Sequence, residues 1–113
     1  MKLGYSELKN GIRLITLKGA LDIHGTDEIE VEFVRRCMGE NVRVLIDLSK
    51  VNYISSIGIP LLIHSAKSVA QRGGKMALLH PQRTVEDILE LTGISLIIPI
   101  YQSMNTAVSE LEK

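Results

Sequence analysis

The chain has 113 residues, of which 45% are hydrophobic, a size and composition that predict a single globular domain over residues 1–113. Lysine plus arginine and aspartate plus glutamate number 13 each, so the net charge is near zero and the electrostatic footprint of a nucleic-acid binder is missing. No stretch approaches the ~18 apolar residues of a membrane helix, the opening MKLGYSELKNG does not read as a signal peptide, and one cysteine rules out an internal disulfide, which suits a cytoplasmic location.

Leu3, Tyr5 and Leu8 alternate weakly, and Asn10-Gly11 is a strong hairpin-turn signal. Ile12, Leu14, Ile15 and Leu17 form the second strand, which Gly19-Ala20-Leu21-Asp22 leaves in a loop. Thr26 is placed to cap a helix, with Asp27 and Glu28 in its first turn. Ile29, Phe33 and Cys37 then recur every four residues, the core face of that helix. Val42 to Ile46 is a nearly continuous apolar run ending at Asp47, the pattern of a strand covered on both faces. A second helix is predicted over 56–72, ended by Gly73-Gly74. Lys75 to Leu79 is another buried strand. Thr84 with Asp87 resembles a capping box before a third helix that Gly93 ends. Leu96 to Ile100 reads as a short strand limited by Pro99, and Ser103 caps a last helix. An opening hairpin followed by alternating strands and helices predicts an α/β fold: a mixed sheet of four to five strands with about four helices packed on it.

Signals for catalysis are scarce. There is no glycine-rich phosphate loop and no nucleophile elbow. His24, His64 and His80 are scattered, without metal-ligand spacing, and Cys37 lies on an apolar helix face. The sequence therefore points to no enzyme, no metal and no cofactor.

The informative stretch is Val51 to Pro60. Proline lacks an N–H, and only the first turn of a helix needs none, so Pro60 forces the helix to start near Ser56 or Ile57. That makes Ser56 the natural N-cap. At about 100° per residue, Ile59, Leu62, Ile63, Ala66, Val69 and Ala70 share the core side, whereas Ile57 and Leu61 fall opposite, with His64 and Ser68. Two large exposed apolar side chains beside an exposed helix start point to a protein contact.

At these residues the chain resembles a STAS domain, the anti-sigma factor antagonist family. The resemblance spans nearly the whole chain. It rests on Gly19-Ala20-Leu21-Asp22, Val44-Leu45-Ile46-Asp47-Leu48-Ser49 with Val51, Ser55-Ser56-Ile57-Gly58-Ile59, Gly73-Gly74-Lys75 and Leu91-Thr92-Gly93-Ile94, in that order. It implies a partner-switching cycle. The unmodified antagonist binds an anti-sigma factor that is also its serine kinase, phosphorylation breaks the complex, and a metal-dependent serine phosphatase reverses it. The family motif, Asp-Ser-Ser/Thr-Gly-Leu, aligns on Gly58 so that its modified serine falls on Ser56, and the family's loop aspartate falls on Asp22. The motif's acid is Ser55 here, an alternative acceptor, and its second hydroxyl residue is Ile57. The partner-binding surface implied is Asp22, Ile57, Gly58 and Leu61. The alternative is a STAS-like interaction or scaffold domain with no phosphorylation cycle, and assembly as a homodimer stays open.

Overall fold

The computed structural model describes residues 1–113. Its first two strands, β1 (Lys2–Glu7) and β2 (Arg13–Leu21), pair antiparallel, with Glu7 opposite Arg13. The turn between them is a tight 3-10 turn at Lys9–Gly11, where Asn10 and Gly11 both hold positive φ, 67° and 77°. These are the two residue types that enter that region at low cost, so the turn falls where the Asn-Gly pair predicts it. Helix α1 (Ile23–Arg36) then leads to β3 (Arg43–Ile54), α2 (Gly58–Gln71) to β4 (Lys75–Leu79), and α3 (Arg83–Leu91) to β5 (Ile100–Tyr101), with α4 (Met104–Glu112) last. The strand order is β1-β2-β3-β4-β5, and every pair after the first is parallel. The fold is thus the expected mixed five-stranded sheet with four helices.

The sheet has two cores. On one face Ile15, Leu17, Val44, Ile46 and Leu78 pack with Phe33 of α1 and Leu62 of α2. On the other, α4 sets Ala107 and Leu111 against Ile12, Leu45, Ala77 and Leu79. Val44 and Leu45 facing opposite cores is the strand alternation expressed in a sheet with both sides covered. No helix is long and apolar enough to cross a membrane.

Several boundaries differ from expectation. β2 continues to Leu21 instead of ending in a loop at Gly19, because β3 extends alongside it as far as Ile54 through two irregularities in register. Helix α1 begins at Ile23, not after Thr26. Asp22 is extended and its Oδ1 accepts a hydrogen bond from Gly25 N at 2.8 Å, so Asp22 is the cap and Thr26 is buried within the first turn. Helix α3 starts at Arg83, which places Thr84 inside it. The expected strand at Leu96–Ile100 is a 3-10 turn at Ile94–Leu96 followed by the two-residue β5. At the last helix Ser103 does cap, accepting from Thr106 N at 3.1 Å.

Two glycines permit close approaches at the starts of α1 and α2. A Cβ on Gly25 would stand 1.9 Å from Ala20 O, and one on Gly58 would stand 2.6 Å from Leu21 Cγ and 2.8 Å from Leu21 O. Both helices therefore begin in contact with the last two residues of β2. Gly58→Ala is expected to cost about 1–3 kcal/mol, the usual penalty of overpacking. Gly25→Ala should cost more, since the backbone oxygen in its way stands at 1.9 Å, against 2.8 Å for Gly58. Denaturant unfolding of the two variants checks the size and the order.

Candidate functional site

The site is built at the C-terminal ends of two neighbouring parallel strands. Leu21 pairs with Ile54, and immediately beyond them Ser55 N donates to Leu21 O at 3.1 Å. Asp22 and Ser55 thus leave the sheet side by side, and each opens a helix. Asp22 caps α1 as described. Ser55 caps the turn into α2: its Oγ accepts from Ile57 N at 3.2 Å, and its carbonyl accepts from Gly58 N at 3.0 Å. Ile57 already has helical φ and ψ, and Gly58 is the first residue of α2, so Pro60 lies in the first turn, where its missing N–H costs nothing.

This moves one expectation by a residue. Ser56 is not the cap: Ile57 precedes α2 without a side-chain cap, and it is the Ser55 hydroxyl that holds the turn leading into the helix. Ser55 is half-buried with its hydroxyl engaged, whereas Ser56 is exposed just before the helix start. Asp22 and Ser56 lie at the same end of the sheet. The helix faces hold in part. Ile59, Leu62, Ala66 and Val69 are buried, and Ile57 is 50% exposed. Ala70 is exposed, and Leu61 is half-buried against the larger core, so only part of its side chain reaches the surface of the groove.

Beside Ser56 runs a groove of about 530 Å³ between α1 and α2, lined in part by Thr26, Val34, Met38, Ile57 and Leu61. Its far wall is the exposed Val34 of α1 together with Met38 from the loop after that helix, so no helical spacing links the two in the sequence. Thr26 is 7% exposed and its hydroxyl has no hydrogen-bond partner. Cys37 closes the groove at depth. Burial pushes its thiol up to about 12, against the opposing charges of Arg13 and Arg72, which marks it as a core residue and no nucleophile.

The mixed sheet, with two helix starts side by side at the strand ends and an exposed serine between them, defines an α/β domain of the antagonist type. The family model for the STAS domain matches residues 6–107, and the chain belongs to that family. It is 28% identical over 109 residues to the anti-sigma F factor antagonist of Paenibacillus polymyxa, covering 94% of this chain and 92% of the relative. Among solved structures it is similar to a STAS domain protein from Planctomyces limnophilus, with a TM-score of 0.87, 20% identity and 98% of both chains covered. It is also similar to the anti-sigma factor antagonist SpoIIAA in its unphosphorylated form, with a TM-score of 0.79, 17% identity and 98% and 96% covered.

Two measurements test this geometry. Ser55→Ala removes the hydrogen bond that holds the turn into α2 and should cost about 1 kcal/mol, while Ser56→Ala should stay within the ~0.5 kcal/mol of a surface change; urea unfolding separates them. The Cys37 thiol has its folded value raised above the ordinary 9.0. Between about pH 9 and 12 the unfolded chain loses the thiol proton that the folded chain keeps, so stability is full below pH 9 and falls as pH rises. The slope of the unfolding midpoint against pH should be shallower in Cys37→Ala.

Proposed function

We propose that this chain is an anti-sigma factor antagonist-type regulator that binds an anti-sigma factor with serine kinase activity and is released by phosphorylation of Ser56. The observation that carries the reading is the placement of Ser56: an exposed serine at the positive end of α2, next to the groove that Ile57 and Leu61 help line. A phosphate there adds about −1.5 to −2 charge and three acceptor oxygens. The helix start favours an anion, so the fold keeps its stability. A partner seated on Ile57 and Leu61 must instead desolvate that charge beside the Asp22 carboxylate, and the complex opens; Gly58, expected in that surface, is buried against Leu21 and only positions Ile57. A metal-dependent serine phosphatase restores the binding form. Ser55 is the poorer acceptor of the two, because its hydroxyl is held in the turn and its side chain is half-buried. The relative from Paenibacillus polymyxa supports the reading by its name. A cytoplasmic setting goes with it, since the kinase draws on ATP.

Incubating the chain with a serine kinase of this class and ATP should add one phosphate, on Ser56 by peptide mass spectrometry. Ser56→Ala should remain bound to the kinase, and Ser56→Asp should bind poorly. Ile57→Asp should weaken the complex at least tenfold with little loss of fold stability. Leu61→Asp should weaken it too, but with a lowered melting temperature, because Leu61 touches the core. Absence of phosphate on both Ser56 and Ser55, with the kinase active on another substrate, would leave a binding module without a switch.

A further inference from the structure

The second face of the sheet is covered unequally. Helix α4 shields Ile12, Leu45, Ala77 and Leu79, and its Glu112 accepts a hydrogen bond from Asn10 in the β1–β2 turn. The same face is bare toward the C-terminal ends of β2 and β3. There the register sets Lys2 beside Lys18 and Lys18 beside Lys50, so three exposed lysines stand in one row across three strands. Their sequence neighbours Leu3, Leu17 and Val51 pack with the larger core, which turns the lysines to the opposite face. The adjoining row is Gly4, Thr16 and Asp47. Both rows line a cleft of about 360 Å³.

Like charges directly opposite on paired strands repel, and strands about 4.8 Å apart hold the three lysine Cα atoms within a span of about 10 Å. None of the three ammonium groups is ion-paired: the chain's salt bridges use the N-terminus, Arg35, Arg36 and Lys113. The one acid in the cleft is Asp47, and its Oδ1 accepts from Ser49 N at 2.9 Å. Three lysines against one aspartate leave the cleft with a charge of +2 in a chain that is neutral overall. Gly4 keeps the floor open, since a Cβ there would stand 2.5 Å from Thr16 Oγ1. The cleft thus presents a hydroxyl at its floor and three ammonium groups at its rim.

We propose that this cleft binds a short chain of phosphoryl groups, a di- or triphosphate, through Lys2, Lys18 and Lys50, with the Thr16 hydroxyl donating to one oxygen. A linear anion spans the lysine row, which a single phosphate does not. The cleft lies on the face away from α1 and α2, so it is independent of Ser56.

The full chain should be titrated with inorganic tripolyphosphate and, separately, with orthophosphate, following backbone amide shifts by NMR. The expected result is saturable shifts confined to residues 2–4, 16–18 and 47–50, with tripolyphosphate the tighter ligand. Lys18→Gln and Lys50→Gln should each weaken binding about fivefold, the size of one exposed charge contact. Asp47→Asn should strengthen it by a similar factor, because the carboxamide oxygen still accepts from Ser49 N while the negative charge is gone. Shifts spread over Lys9, Lys67, Lys75 and Lys113 without saturation would overturn the proposal. So would orthophosphate binding as tightly as tripolyphosphate, or Asp47→Asn binding more weakly.

Discussion

The fold hangs on the last two residues of β2. Ala20 and Leu21 receive the starts of both α1 and α2 at distances that only glycine permits, Gly25 over the Ala20 carbonyl and Gly58 over Leu21. Leu21 O also accepts the hydrogen bond from Ser55 N that ties the end of β3 to the end of β2. One short piece of backbone therefore positions two caps, two helices and the loop between them. Any side chain at Gly25 or Gly58 pushes a helix start away from the sheet, and Asp22, Ser55 and Ser56 move with it.

This arrangement separates what holds the fold from what is free to change. Ser55 and Asp22 spend their oxygens on backbone N–H groups, as buried or half-buried helix starts require. Ser56 carries no such duty. A charge added to it meets the positive end of α2 and open solvent, so its cost falls on whatever is docked beside it. The groove between α1 and α2 supplies the apolar part of such a contact, and its depth is closed by core residues such as Cys37, not by reactive ones.

Charge is distributed with the same asymmetry. Thirteen basic and thirteen acidic residues cancel over the chain, yet the register of β1, β2 and β3 gathers three lysines on the face that α4 leaves bare. One extra residue in β3 between Asp47 and Lys50, opposite Thr16 to Lys18, brings Lys50 level with Lys18. Net charge says nothing about such a row, because it arises from the pairing of Lys2 with Lys18 and of Lys18 with Lys50, residues 16 and 32 positions apart.

Much of the architecture is legible in local pattern. The Asn10-Gly11 turn, the Ile29–Phe33–Cys37 face, the Gly73 and Gly93 helix ends at positive φ and the Ser103 cap follow from short-range rules, and the structure keeps them. Pro60 bounds the start of α2 for the same reason: its ring and missing N–H act on its own turn. Which side chain holds each helix start is a different matter. Thr26 and Ser56 satisfy the local pattern as well as Asp22 and Ser55 do. The choice was made by contacts across the sheet, Gly25 on Ala20 and Ser55 on Leu21, between segments that only the tertiary structure brings together. Leu61 shows the same limit, since helical periodicity assigns it to the surface, while packing against the larger core half-buries it. Periodicity and turn chemistry act within a few residues and can be read along the chain; caps, registers and grooves are settled between distant segments and cannot.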